Sequence, residues 1–139
     1  RHIASNARFH VINTHFDHRG SEARRESARL IAARVAALPE DLPVIVMGDF
    51  NALAPDSAPF EALTAGRLRD TWTAVETAEG PPTTWSGFRA PRKDANRRID
   101  WVLFGGPWTV RHAEVVTYEK DGRYPSDHFP VYAEFLLAK

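Results

Sequence analysis

Four short polar clusters close apolar stretches of this chain: Asn13-Thr14-His15, Gly48-Asp49-Phe50-Asn51, Arg98-Ile99-Asp100-Trp101 and Ser126-Asp127-His128-Phe129-Pro130. Together they offer carboxylates, a carboxamide and imidazoles, groups that orient water, move protons and stabilise developing charge. Asp49 and Asn51 are two residues apart, so in extended geometry both side chains project to one side while Phe50 packs the other way. The same residues are also ordinary turn formers. Asp100 places an ionisable group in a stretch otherwise suited to burial, and a buried carboxylate needs a partner. His128 is the best candidate, because an Asp held against one imidazole nitrogen fixes the tautomer and leaves the other nitrogen free for acid–base or electrostatic work. An edge-strand Asp100 facing water is the alternative. Asp127 and His128 lie in a loop anchored by Tyr124-Pro125 on one side and a packed strand on the other. That is either a rigid mount for a catalytic pair or a simple capped turn.

His15 is followed by Asp17 and His18, which invites a rival reading as a zinc cluster, although Phe16 stands where a further ligand would be wanted. His2, His10 and His112 have no comparable context and read as surface or strand histidines.

These groups need elements to carry them. Phe9 to Ile12 reads as a strand running into the first cluster. A helix follows from Ser21, with Ser21 as N-cap, Glu22 in the first turn, and Ala23, Ala28, Leu30, Ile31, Val35 and Leu38 as an apolar stripe ending at Pro39. Pro43 to Met47 is a continuous apolar run of the kind buried on both faces, and it stops at Gly48-Asp49. Ser57 to Ala65 reads as a short helix with Phe60 and Leu63 inward and Gly66 as its stop. Leu68 to Val75 fits strand or loop. Ile99 to Phe104, Val110 to Thr117 and Pro130 to Leu137 are strands, the last with Val131, Ala133, Phe135 and Leu137 facing one way. Glu79 to Arg98 is too long and irregular for an ordinary connection, and such loops are usually functional or disordered. The order of elements favours a layered α/β architecture in one domain.

With 139 residues and 43% apolar content, the chain can build a real core. Lys+Arg and Asp+Glu balance at 18 each, which argues against gripping nucleic acid through overall basic charge. Zero cysteines exclude a disulfide framework and thiolate metal sites and leave localisation open. No apolar run approaches the roughly 20 residues of a membrane span. Arg1-His2-Ile3-Ala4 lacks both an initiating methionine and a signal-peptide pattern, so the chain reads as a fragment or processed product.

Taken in order, the four clusters resemble the endonuclease/exonuclease/phosphatase superfamily, the deoxyribonuclease I-like enzymes, over about Val11 to Leu137. The resemblance implies a four-layer α/β/β/α sandwich and Mg²⁺- or Mn²⁺-dependent attack of water on a phosphoester. It implies that Asp49 orients or deprotonates the water, Asn51 holds a phosphate oxygen, and His15 and His128 stabilise charge on the transition state. Asp100 would orient His128, and Asp127 and Asp49 would bind the metal. Family members also use an Asn and a Gln-Glu pair on earlier strands. Nothing before His15 supplies these, and the nine Glu here sit elsewhere in a chain without Gln. The chain therefore looks like the C-terminal half of the domain. That half should expose an apolar sheet face, pair with the N-terminal half or with itself, and bind Mg²⁺ poorly when alone.

Arg89, Arg92, Lys93, Arg97 and Arg98, interleaved with Trp85 and Phe88, could form a lip over the phosphate, where aromatics stack and arginines hold oxygens. A solvated basic loop is equally compatible. Arg98, Arg97, Trp85, Phe88 and Tyr124 are the substrate-binding candidates. The substrate could be nucleic acid, a phospholipid head group or a sugar phosphate, with neutral charge mildly favouring a small or short one. The rivals are a non-catalytic phosphate- or nucleic-acid-binding scaffold and a zinc hydrolase built on His15, Asp17 and His18.

Overall fold

The apolar stretches assemble into two sheets of unequal size, with the two longer helices packed on one face of the larger. The computed structural model describes residues 1, 3, 6–92 and 94–137, so His2 and Lys93 lie outside the described residues. In chain order the elements are β1 (His10–His15), α1 (Ser21–Ala36), β2 (Val44–Asp49), α2 (Ala58–Thr64), β3 (Arg69–Asp70), α3 (Thr71–Ala74), β4 (Asp100–Gly105), β5 (Trp108–Val115) and β6 (Val131–Leu137). β1, β2, β4 and β3 lie side by side in that order, while β5 and β6 form a separate antiparallel ribbon. β1 and β2 are parallel, joined by the α1 crossover, and β4 runs antiparallel to both β2 and β3.

Alternation along the strands assigns the two faces of the larger sheet. Val44 and Val46 of β2 and Trp101 and Leu103 of β4 join Ala28, Ile31 and Val35 of α1 and Leu63 of α2 in one core. Phe50 lies flat on Trp101 with ring centroids 4.3 Å apart, and Phe60 meets the same indole edge-on. Such ring pairs contribute about 0.5–1.5 kcal/mol each beyond simple burial. On the opposite face, Phe104 meets Phe135 of the ribbon, which itself packs on Trp108. Val131, Ala133, Phe135 and Leu137 are the better-buried alternates of β6, as their spacing predicts.

Several local expectations change. The first turn of α1 is capped by Gly20, not Ser21, and Gly20 has no side chain to offer. The chain is turned into the helix by Asp17, whose Oδ1 accepts the amides of Arg19 and Gly20, each at 2.6 Å. The ambiguous stretch resolves into a two-residue strand and one helical turn capped by Asp70. β2 is not buried on both faces: Val44 and Val46 are sealed, but Met47 is 37% exposed. The reason is coverage. The ribbon lies over β4, where Val102 and Phe104 are buried, and leaves the same face of β1 and β2 open, with Val11 43% exposed. Helix, sheet and ribbon make layers of an α/β sandwich. Among the described residues no helix is long and apolar enough to cross a membrane.

Candidate active site

Register puts the polar residues in a row. Val11, Ile45 and Phe104 are directly paired across β1, β2 and β4; so are Asn13, Met47 and Val102; and so are His15, Asp49 and Asp100. Paired residues share a face, so the sheet's open side carries an apolar rung, a mixed rung and, where β1 and β2 end, a polar rung. β1 and β2 can approach closely here because position 48 is glycine. Its φ is +143°, and a Cβ there would stand 1.8 Å from the Thr14 carbonyl oxygen.

His128 arrives from the loop before β6 and completes the group. Its Nδ1 lies 2.9 Å from Asp100 Oδ2, with the two side chains 27% and 18% exposed. Burial is the largest influence on Asp100 and pushes its carboxyl above the usual range. Asp49 adds to that rise, while hydrogen bonding to Thr84 and His128 holds part of it back. Burial of the His128 ring disfavours its charge, but the Asp100 hydrogen bond and the carboxylates of Asp100, Asp49 and Asp127 outweigh this and raise its pKa. With Nδ1 committed to Asp100, Nε2 is the ring nitrogen left for other partners.

Asp49 is held from the other side. Its Oδ1 accepts the Asn51 amide at 2.8 Å, and its Oδ2 is 3.3 Å from Asn51 Nδ2. Asn51 also donates to the Phe16 carbonyl at 2.9 Å. The two side chains meet, but not through an extended strand: Asn51 sits at φ 48°, just past the end of β2. The turn reading and the shared-mouth reading are both realised, because an Asx-type turn brings the carboxamide back onto the carboxylate. With its amide hydrogens engaged, Asn51 fixes Asp49 in this arrangement and has no donor free for a phosphate. His15 Nε2 stands 3.5 Å from Asp49 Oδ2, while its Nδ1 lies 2.9 Å from the Phe16 carbonyl.

Asp49, Asp100 and His128 bring one ligand atom each within 4.8 Å of one another, the chemistry of a cation site. Asp127 stands outside that trio. Its carbonyl accepts the amides of Ser86 and Gly87, and its carboxylate acts on His128 only through charge. The His15, Asp17 and His18 trio does not gather either, since Asp17 is spent on the turn into α1.

The basic loop divides. Arg97 is exposed and lies over Trp85 at 4.7 Å, and Trp85 bridges to His128 through the backbone. Phe88 is 60% exposed at φ 62°. Arg89 is exposed, and Arg92 pairs with Asp94 at 3.2 Å. Arg98 departs from the lip altogether. It is 5% exposed and grips Asp70 through two contacts of 3.2 and 2.5 Å, because buried Asp70 needs a countercharge. Tyr124 packs edge-on against Phe129 at 5.8 Å, bracing the His128 loop.

One residue that sequence reasoning passed over is Thr84, which is fully buried. Its Oγ1 accepts the amides of Ile99 and Asp100, both at 3.0 Å, and its carbonyl accepts the Phe129 amide at 2.6 Å. It therefore clasps the start of β4, which carries Asp100, to the loop that carries His128. Nothing in the local sequence marks it, since Thr83-Thr84 in a Pro- and Gly-rich loop looks like turn chemistry. The cleft beside this pair holds about 330 Å³ and is lined by Asn13, Met47, Asp49, Asp100, His128 and Val131 among others. A roomier hollow of about 740 Å³ lies under the basic loop between Trp85 and Arg97, but neither Asp49 nor Asp100 lines it.

A model of the Endonuclease/Exonuclease/phosphatase family matches residues 2–128. Tyrosyl-DNA phosphodiesterase 2 of Danio rerio is 28% identical, covering 83% of this chain and 34% of the relative. An endonuclease/exonuclease/phosphatase structure from Bacteroides vulgatus superposes with a TM-score of 0.83 at 29% identity, over 97% of this chain and 52% of that one. A Bacteroides thetaiotaomicron mannosyl-6-phosphatase gives 0.78 at 29% identity, over 91% and 51%. The chain thus spans about half the length of these solved structures and a third of the curated relative.

Proposed function

Because the chain belongs to the endonuclease/exonuclease/phosphatase family, we propose that it is the C-terminal half of a phosphoester hydrolase and carries most of that enzyme's proton-handling groups. The observation behind this reading is the rung of His15, Asp49 and Asp100 with His128 bound to its far end. Asp49, held on two sides by Asn51, orients a water and takes its proton. His128, kept in one tautomer by Asp100, presents Nε2 to a non-bridging phosphate oxygen and stabilises the charge gathering there. His15, mostly exposed beside Asp49, adds a second donor at the same oxygens. Trp85 and Arg97 flank the cleft as a stacking and charge surface for the group attached to phosphorus.

The donor set fits a hard divalent cation, since two carboxylates crowd together and Asp49 already raises the Asp100 pKa. Asp49 and Asp100 would hold Mg²⁺ or Mn²⁺, which when bound supplies positive charge to the phosphate oxygens. The open face over β1 and β2 is where we place the other half of the domain, which would contribute the remaining ligands.

Turnover of bis(p-nitrophenyl) phosphate with Mn²⁺ or Mg²⁺ tests this, measured for the chain alone and together with the preceding half of the parent protein. The expected result is little activity alone, activity when joined, and loss in D49N. An active complex indifferent to D49N would overturn the assignment of roles. Full activity of the isolated chain would overturn its reading as an incomplete site.

A further inference from the structure

A second group of metal-ligating side chains lies away from the cleft, on the outer face of the ribbon. Glu79, His112 and Glu114 bring one ligand atom each within 4.8 Å of one another. His112 Nε2 is 3.2 Å from Glu114 Oε2, and Nδ1 is 3.7 Å from Glu79 Oε1. As a lone residue in the sequence, His112 reads as an ordinary strand histidine; its two neighbours become visible only in the fold.

The mount is rigid. His112 and Glu114 alternate along β5 on one face, opposite Glu134 and Tyr132 of β6. The Tyr132 ring packs 5.7 Å from the imidazole. Glu79 is fixed by its backbone, which gives its amide to Ala113 and accepts that of Val115, both at 2.9 Å. That bridge depends on Gly80 at φ +85°, where a Cβ would stand 2.1 Å from the Val115 carbonyl oxygen. Among the described residues, His112 is the sole ion-pair partner of Glu79 or Glu114. Two carboxylates thus converge on one imidazole without a Lys or Arg to balance them.

From this arrangement the geometry points to a structural divalent-metal site of zinc type at Glu79, His112 and Glu114, which ties the entry of the 79–98 loop to β5. Bonds of about 2.0–2.2 Å in a tetrahedron place ligand atoms roughly 3.4 Å apart. The two carboxylates now meet opposite ring nitrogens, so an ion on Nε2 beside Glu114 requires the 65% exposed Glu79 side chain to swing toward it, a closure within reach because one ligand atom from each of the three residues already lies within 4.8 Å of the others. A mixed imidazole and carboxylate set suits zinc better than magnesium, which prefers oxygen alone. The two carboxylates neutralise the ion, and a fourth position stays open on the face that also bears Glu134.

Calorimetric titration with Zn²⁺ in a D49N/H128Q background, which dismantles the cleft's own cation group, isolates this site. We expect one Zn²⁺ per chain and a Tm that climbs with the logarithm of zinc concentration. Adding E79Q, H112N and E114Q, with apo folding checked by circular dichroism, should abolish both the saturable heat and the Tm rise. Zinc binding that survives those substitutions, or no saturable binding in the background protein, overturns the site. Neither result bears on the hydrolase reading, which rests on other residues.

Discussion

Two carboxylates, Asp70 at the end of β3 and Asp100 at the start of β4, are paired with cations that lie 28 residues away in the chain, and the pairs behave differently. Asp70 and Arg98 are sealed, at 2% and 6% side-chain exposure, and the guanidinium carries a permanent charge. Asp100 and His128 are several times more open, border a cleft, and use an imidazole whose charge depends on pH. A closed, always-charged pair fastens β3 to the strand that bears Asp100. An open, titratable pair keeps a nitrogen facing solvent and so can act on something that enters. Burial and choice of cation, more than the presence of an ion pair, separate structure from chemistry here.

The comparison can be broken most forcefully at the open pair. In the assembled enzyme H128Q keeps a hydrogen bond to Asp100 but not the cationic donor, so kcat should fall about 10²–10⁴-fold while Tm stays close to that of the parent. A large Tm loss would put His128 in the structural class. The sealed pair should give the opposite result. R98A strands a buried carboxylate and should cost about 3–5 kcal/mol in urea unfolding, with kcat per folded molecule nearly unchanged. Thr84 sits between the two classes, as a positioning residue. T84V removes the acceptor for two buried amides and should cost about 1–3 kcal/mol and also shift the pH profile, with T84S restoring both.

The mildest test is the pH profile itself. His128 and Asp100 are both raised in the folded protein, so the native state binds more protons than the unfolded one and stability falls with rising pH. The His128 contribution is complete below about 6.5, the ordinary imidazole value, and is lost as pH climbs through the raised folded pKa. D100N takes away the hydrogen bond and charge that lift His128. The alkaline limb of kcat should then move to lower pH, and the decline in Tm above pH 6.5 should flatten. An unmoved limb would mean that His128 does not carry it.

Much of the site was legible because its residues break the local pattern. Asp49 ends a β-branched run, and Asp100 interrupts an apolar one, so both stand out by contrast. The Asp100–His128 pairing follows from the need of a buried carboxylate for a partner. Arg98 was misread for a related reason: next to exposed Arg97 it looks like part of one basic cluster, yet strand alternation turns adjacent residues to opposite sides. Its partner Asp70 lies in a stretch whose pattern is too short to assign. Thr84 could not be found by contrast, since its role depends on which amides lie over it. The extended geometry expected for Asn51 gave way to a left-handed turn, because short polar side chains tolerate that region. The exposed face of β2 was foreshadowed less by its own residues, which look fully buried, than by the absence of strands to cover it.

The polar rung has one more consequence. Inserting or deleting a single residue within β1, β2 or β4 would rotate that strand's contribution to the helix side and empty its place in the row. Strand length is therefore frozen for as long as the chemistry is kept. Within the 79–98 segment Thr84 and Arg98 are bound to the frame, but the exposed tip at Phe88, Arg89 and Ala90 contributes no member to the rung and can change while the reacting groups stay in place. Variation at that tip alters what borders the cleft without disturbing the register of the row.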